Sequence, residues 1–396
     1  MVALVVRRPL LGVEHRCGQH PLRPRGPVVR QRLYEVDLLR IIAALAVVVF
    51  HYTFSAWMQG VSPVTFPLLG EFSRYGYLGV DLFFVISGFV VLLSAWGRTP
   101  QQFVVSRIVR LYPAFWVAVT LTALVSLVSS KFPVSLFQYL ANLTMFNAAV
   151  NVENIDVVYW TLWAEIRFYL VVFLLALIGL TQRRVLLALW GWLALTGLME
   201  LGLLPGAADL LLQTTFSHYF IAGMALGLVY RFGMSWELAA ILLLSYANAV
   251  YRGLGFAADV ADRYKTDFHQ WVIIGVIWAI FMIMLLIALK ATSPLGRPWF
   301  SFAGSLTYPL YLVHAHIGFV VLAWIGPRLE PYRGMKWVLV AALILAMCVL
   351  AYAIHALVER PMAPRLKRVL NRIARIPERP TGQPGQPATG GAPVRR

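Results

Sequence analysis

The sequence predicts an all-α fold, a polytopic bundle of about ten transmembrane helices. Hydrophobic residues make up 60% of the 396 positions and charged residues only 13%, and the mean hydropathy is +0.73. Apolar runs of about 20 residues, the length that a helix needs to cross a bilayer, recur along most of the chain. The ten predicted spans cover residues 35–55, 76–96, 112–130, 158–180, 185–204, 213–231, 234–251, 271–289, 299–325 and 337–358. A weaker stretch at 133–150 is either an interfacial segment or an eleventh span.

The positions of the basic residues indicate the topology. A net charge of +17 could also suggest nucleic-acid binding, but most of the 34 lysines and arginines fall on one side of the predicted bundle. The positive-inside rule therefore predicts an N-in/C-in arrangement, with both termini in the cytoplasm. We expect a multi-pass protein of the cytoplasmic (inner) membrane, with the lipid bilayer and no nucleic acid as a partner.

Composition divides the chain into three segments. Residues 1–33 form an Arg/Pro-rich cytoplasmic tail that we expect to be disordered and that lacks the features of a signal peptide. Residues 34–360 form the transmembrane domain, and residues 361–396 form a basic and then Pro/Gly-rich cytoplasmic tail. Cys17 and Cys348 fall on parts of the chain that should not meet, so we predict neither a disulfide nor a metal site.

The first span contains two ionisable residues, Arg40 and His51. The two residues are eleven positions apart, which is close to three helical turns. Both side chains therefore leave one face of the helix, roughly 16 Å apart along its axis. Ionisable groups at membrane depth are costly and usually functional. The alternative is an arginine that snorkels to the interface and a histidine that only packs.

Further ionisable residues are predicted at a depth similar to that of His51. The alternating direction of the spans places three of them in the outer half of the bundle: Asp81, Glu165 and His314. His316 lies about 200° around the helix from His314, so only one of the two can face the same pocket, and we choose His314. The carboxylates could instead form intramembrane ion pairs, for instance Glu165 with Arg167.

Two more arginines, Arg107 and Arg110, lie at the entrance to the third span, on the predicted side of Arg40. Their i,i+3 spacing places them on one helical face. Arginine binds phosphate well through its fixed fork of donors, so a polyanionic donor could dock here with its reactive end toward the histidines. A neutral histidine beside a carboxylate can take a proton from a hydroxyl nucleophile. The alternative for the two arginines is ordinary cytoplasmic anchoring.

Six ordered motifs resemble the acyltransferase-3 family of integral membrane O-acyltransferases, over roughly residues 33–368. They are the Arg-x10-His pair of the first span, GVDLFFVISGF (79–89), RIVRLYP (107–113), WTLWAE (160–165) followed by Phe168-Tyr169, GSLTYPLYLVH (304–314) and VERP (358–361). Thr161 replaces the serine that is usual in the family. The central stretch, residues 181–298, carries no recognised motif.

The resemblance implies transfer of an acyl group, commonly acetyl, from acyl-CoA to a hydroxyl of a carbohydrate, a glycolipid or another glycosylated acceptor. It suggests His51 as the catalytic base, Arg40 as its partner, and Arg107 and Arg110 as contacts to the CoA nucleotide. Glu165 matches the acid of the family motif and would orient His51 or the acceptor hydroxyl.

We also assign Asp81 to the catalytic set, and Trp160, Tyr308 and His314 to substrate binding. Acyl-CoA, which we expect to be acetyl-CoA, would be the donor substrate, and no permanently bound cofactor is predicted. Some members of the family add a C-terminal esterase-like domain. Without one, the membrane domain would act alone or pass the acyl group to a separate partner.

The alternative function is a proton-coupled transporter or flippase of an envelope precursor, because intramembrane His, Asp and Arg residues also line carriers. The lack of a detectable repeat between the two halves argues against a carrier.

Overall fold

The computed structural model describes residues 33–129, 132–329, 332 and 334–377, and these are helical with no strand. The predicted all-α class is therefore confirmed for the described chain. The expectation of disorder concerns residues 1–33 and the Pro/Gly-rich C-terminal segment, and it falls mainly on residues outside these ranges.

We number the helices of 14 residues or more in chain order. They are α1 (Tyr34–Phe50), α2 (Gly79–Ala95), α3 (Pro100–Ser129), α4 (Trp160–Leu177), α5 (Gln182–Glu200), α6 (Ser217–Phe232), α7 (Trp236–Tyr264), α8 (Gln270–Ala288), α9 (Phe300–Val313), α10 (Ala315–Leu329), α11 (Met335–Ile354) and α12 (Arg360–Ile373). Shorter helices cover Ala56–Met58, Pro67–Ser73, Leu136–Asn142 and Asp209–Leu212.

Each predicted span contains a helix, but fewer helices meet the requirements for crossing a membrane. Seven helical segments of the described chain are long and apolar enough, and α9 and α10 make an eighth if this pair, bent by 63°, is one span. Helix α6 has only 16 residues, and α5 does not reach the required hydropathy. The count of ten and the N-in/C-in orientation therefore stay predictions.

Two π-helical turns interrupt the long helices at motif residues. One covers His51–Ser55, directly after α1, and the other covers His355–Glu359, between α11 and α12. A π-helical turn holds one more residue than an α-helical turn and occurs often at functional sites. His51 is thus the first residue of a widened turn.

Glycines allow the central helices to approach closely. Gly88 on α2 faces Gly223 on α6, and a Cβ on either residue would overlap the backbone of the opposite helix. Gly79 packs in the same way against the carbonyl of Ala43 on α1. Small residues at such crossings are typical of helix packing in membranes. These glycines therefore hold α1, α2 and α6 together, and this core positions the polar residues described below.

We predict that Gly88→Ala destabilises the protein by about 1–3 kcal/mol, because the added methyl group would overlap the carbonyl of Phe220. Thermal unfolding in detergent should show a lower Tm. Gly191→Ala on α5 is the matched control, since no atom lies within 4 Å of its added Cβ. An equal Tm for both variants would contradict this packing role.

Candidate functional site

The polar centre of the bundle is built around a break in the helix at His314. Helix α9 ends at Val313 and α10 begins at Ala315, with a bend of 63° between them. A break leaves carbonyl groups without their helical partners, and such groups must find other donors in an apolar environment. Tyr159 Oη donates to the oxygen of Leu312 at 3.2 Å. Tyr52 Oη donates at 2.7 Å to the oxygen of His314, which also accepts from the N–H of Gly318 at 3.1 Å.

The imidazole of His314 satisfies a third carbonyl. Its Nδ1 lies 2.8 Å from the oxygen of Tyr311, and a carbonyl oxygen only accepts, so Nδ1 carries the proton. In the neutral ring Nε2 is then an acceptor. This Nε2 lies 3.1 Å from Nδ1 of His51, which is also 3.0 Å from the carbonyl oxygen of Val47.

The same reasoning fixes the tautomer of His51. Both neighbours of its Nδ1 are acceptors, so Nδ1 carries the proton and Nε2 holds the free lone pair. Within the described part of the chain, Nε2 makes no hydrogen bond. The ring is only 8% exposed and meets Phe50 and Phe319 edge-on. A buried histidine with a free Nε2 can act as a general base.

A cavity of about 130 Å³ lies between α1, α2, α3, α4 and α9. Its lining on α2 extends from Val80 to Val91, a rise of roughly 16 Å. Apolar side chains form most of the wall. The polar residues of the lining are Arg40, Ser87, Arg107, Arg110, Thr161, Glu165, Tyr169, Thr307, Tyr308 and Tyr311.

Residues around this cavity contact helix α2 one after another along its axis. Phe83 contacts the ring of Tyr311, with centroids 5.7 Å apart. Ser87, one turn further along α2, donates to Glu165 at 3.0 Å. Ser94, two turns beyond Ser87, accepts from Nη2 of Arg107 at 3.4 Å. The cavity region therefore runs from Tyr311 at one end to the arginine at the other.

The three arginines of the cavity are held loosely. The guanidinium of Arg107 lies 5.6 Å from the centroid of the Tyr169 ring. That of Arg110 lies 5.6 Å from the Tyr308 ring and 4.0 Å from the carboxylate of Glu359. Arg40 is 3.7 Å from Asp37. Because these contacts are long, N–H donors of the guanidinium groups remain available to an anionic ligand.

Glu165 lies in the cavity and makes no hydrogen bond to His51 among the described residues. Glu165 accepts from Ser87 and from the hydroxyl of Tyr169, and it shares the cavity with the arginines instead of touching His51. The alternative pairing with Arg167 is also absent among the described residues.

Asp81 and Trp160 lie outside the cavity lining. Asp81 accepts from the hydroxyl of Tyr219 at 2.8 Å and makes no hydrogen bond to His51 among the described residues. Trp160 packs in an aromatic cluster with Phe84, Phe216 and Phe256. Tyr308 does line the cavity, and its hydroxyl donates to the carbonyl of Leu111 at 3.2 Å.

The cavity reaches the histidine pair through Tyr311. Its ring lines the cavity and lies 5.7 Å from the ring of His314. Its hydroxyl is 3.0 Å from Oγ1 of Thr161. The predicted residues thus form two groups in the structure, the pair His51–His314 and the arginine-lined cavity with Glu165, and Tyr311 stands between them.

Asp156 was not predicted from the sequence as a site residue. This aspartate is fully buried, its Oδ2 accepts from the backbone N–H of His316 at 3.0 Å, and its Oδ1 accepts from that of Val158 at 3.2 Å. It therefore fixes the start of α10 just after the break. The only feature of the sequence that marks this residue is that a carboxylate stands directly before an apolar span. The ring of His316 stacks on Phe132, with centroids 4.3 Å apart, and so does not join the pair.

Comparison with known proteins identifies relatives. Residues 33–356 match the model of an acyltransferase domain family. The peptidoglycan O-acetyltransferase OatA of Listeria monocytogenes is 28% identical over 167 residues, 36% of this chain and 24% of OatA. BcsY of Komagataeibacter xylinus, a candidate membrane-bound transacylase, is 31% identical over 39% of this chain and 40% of its own.

A third relative aligns over more of the chain. YrhL of Bacillus subtilis, a candidate peptidoglycan O-acetyltransferase, is 26% identical over 388 residues, 87% of this chain and 57% of YrhL. The chain therefore spans between a quarter and somewhat more than half the length of these relatives. No solved structure matches it.

We predict that Tyr52→Phe lowers stability by about 0.5–1.5 kcal/mol, because it removes one buried hydrogen bond to the carbonyl of His314, which keeps the N–H of Gly318 as its other donor. Unfolding in detergent measures the loss. Tyr352→Phe, at a position that is 50% exposed, is the control. If the two variants unfold alike, the hydroxyl of Tyr52 does not support the break.

Proposed function

Because this chain belongs to the acyltransferase-3 family, we propose that it is a membrane-embedded O-acyltransferase with His51 as general base. It moves an acyl group, acetyl in the first instance, from acyl-CoA to a hydroxyl of a carbohydrate or glycosylated acceptor. The observation that carries the proposal is the His51–His314 pair, whose hydrogen bonds leave Nε2 of His51 free, next to an arginine-lined cavity.

The cavity suits one end of an acyl-CoA. Phosphates would meet Arg107 and Arg110, which line the cavity near Ser94 and Tyr308. The apolar wall between Val80 and Val91 accepts the extended thiol arm, and this directs the thioester toward Tyr311. We assign Arg40 and Glu165 to positioning the donor, since both line the cavity and neither contacts His51.

The chemical step is an acyl transfer. Nε2 of His51 takes the proton of the acceptor hydroxyl while that oxygen attacks the thioester carbonyl, so that a C–O bond forms and the C–S bond breaks. The departing thiolate takes the proton back from the imidazolium. His314 is a positioning residue, because its Nε2 accepts from Nδ1 of His51 and stabilises the positive ring.

The acceptor is proposed from the relatives. Two of them carry names that specify peptidoglycan O-acetylation, which supports an envelope polysaccharide or its lipid-linked precursor as the acceptor class. A location in the cytoplasmic membrane and a separate transfer partner accord with such an acceptor. No specific contact in the structure favours the alternative of a proton-coupled transporter or flippase.

We predict that His51→Gln lowers kcat about 10²–10⁴-fold, because it removes the base and keeps a side chain of similar polarity. Turnover of labelled acetyl-CoA by the reconstituted full chain measures the effect. His269→Gln, at an exposed position, is the control and should keep wild-type activity. Unchanged turnover in His51→Gln would exclude the catalytic assignment, and a wild type without turnover would favour a carrier.

We predict that Arg107→Gln and Arg110→Gln each raise the KM for acetyl-CoA about tenfold, the equivalent of ~1.4 kcal/mol. The loss should be larger at low than at high ionic strength, because the contact is electrostatic. Arg183→Gln, at the exposed start of α5, is the matched control. If the KM of both variants equals that of the wild type at every salt concentration, the two arginines do not bind the donor and contribute only to the membrane topology.

A further inference from the structure

The histidine pair has no direct carboxylate partner. Glu165 lies in the donor cavity, and Asp81 accepts a hydrogen bond from a tyrosine hydroxyl. Among the described residues, neither carboxylate forms a hydrogen bond with the imidazole of His51 or His314. A histidine that takes a proton acquires a positive charge, and an anion that stabilises this charge makes it a more effective base.

Asp156 lies at the break in the helix that carries His314. Its Oδ2 accepts at 3.0 Å from the N–H of His316, two residues after His314, and its Oδ1 accepts at 3.2 Å from the N–H of Val158. The carbonyl oxygen of Val158 lies 3.4 Å from the hydroxyl of Tyr311, whose ring is 5.7 Å from that of His314. The segment that begins with Asp156 therefore contacts the chain on both sides of the break.

The carboxylate of Asp156 is a buried charge. The residue is fully buried, and both of its oxygens accept from backbone N–H groups, as expected of the ionised form. No lysine or arginine of the described chain lies within 4 Å of it. The carboxylate interacts electrostatically with the imidazole of His314 and with the hydroxyls of Tyr52 and Tyr159. Such an interaction is screened much less in a protein interior than in water.

On the basis of the proposed acyl-transfer function, we propose that Asp156 is a positioning residue that acts through His314 to stabilise the positive charge on the histidine pair. When Nε2 of His51 takes the proton of the acceptor hydroxyl, the hydrogen bond from its Nδ1 polarises the ring of His314. The fixed carboxylate lowers the energy of this charged state. The pair becomes neutral again when the departing thiolate takes the proton, and Asp156 stays ionised throughout.

The test measures turnover of labelled acetyl-CoA by the reconstituted full chain, with kcat normalised to the number of acetyl-CoA binding sites. Asp156→Asn should lower kcat about 10²–10³-fold, the loss typical of one preorganised electrostatic group. Its KM should equal that of the wild type, because Asp156 does not line the donor cavity. A residue that only caps the start of α10 would instead lower the Tm and the number of binding sites, and turnover per site would stay unchanged.

Asp209→Asn is the matched control. The carboxylate of Asp209 also accepts two hydrogen bonds, from the N–H and the hydroxyl of Thr214 at 2.8 Å each, but it belongs to the short helix Asp209–Leu212 and does not contact the pair. This variant should keep the wild-type kcat. Asp156→Ser is a second test variant, because it removes the charge and keeps an oxygen that can accept from the N–H of Val158.

A double variant tests whether Asp156 acts through His314. His314→Gln should lower kcat by itself, and adding Asp156→Asn should lower it little further, because the imidazole that carries the effect is already absent.

Two results would overturn the proposal. One is a wild-type kcat per site in a monodisperse Asp156→Asn or Asp156→Ser protein, and the other is full additivity of the Asp156 and His314 losses. Both results leave the proposed acyl transfer intact. A wild type that does not turn over acetyl-CoA would instead refute the proposed function together with the role of Asp156.

Discussion

The structure depends on how the break at His314 satisfies its carbonyl groups. Inside a membrane these groups cannot turn to water, so side chains must replace the missing helical donors. Tyr159 and the imidazole of His314 itself supply them, and Tyr52 adds a second donor to the carbonyl of His314. Once His314 donates through Nδ1, its Nε2 can only accept, and the proton on His51 is placed in turn. The protonation pattern of the pair therefore follows from the hydrogen-bonding needs of the backbone.

Helix α2 separates the arginine end of the cavity from the end that lies toward the histidine pair. Arg107 and Ser94 meet near the end of α2, whereas Phe83, near its start, packs against Tyr311. Tight glycine crossings to α1 and α6 hold this helix in place. In the proposed reaction, binding energy gained at the arginines would serve to position the reacting group about 16 Å away.

Sequence patterns predicted the helical class, the location of a helix in each of ten spans, the grouping of Arg40 with Arg107 and Arg110, and the choice of His314 over His316. They did not indicate that Glu165 would line the cavity with the arginines instead of contacting His51, because hydropathy does not say how a helix is rotated. They also missed Tyr52 and Asp156. Their partners are backbone groups at the break, for which the sequence has no pattern.

The widened turn at His51–Ser55 has a consequence for neighbouring side chains. In an α-helix, consecutive side chains diverge by 100°, whereas a turn with more residues narrows that angle. Here His51 and Tyr52, adjacent in the chain, serve one residue: the first contacts the ring of His314 and the second its carbonyl. Because the turn holds one more residue, a single helix contacts both the side chain and the main chain of His314. Regular winding would direct the two contacts further apart.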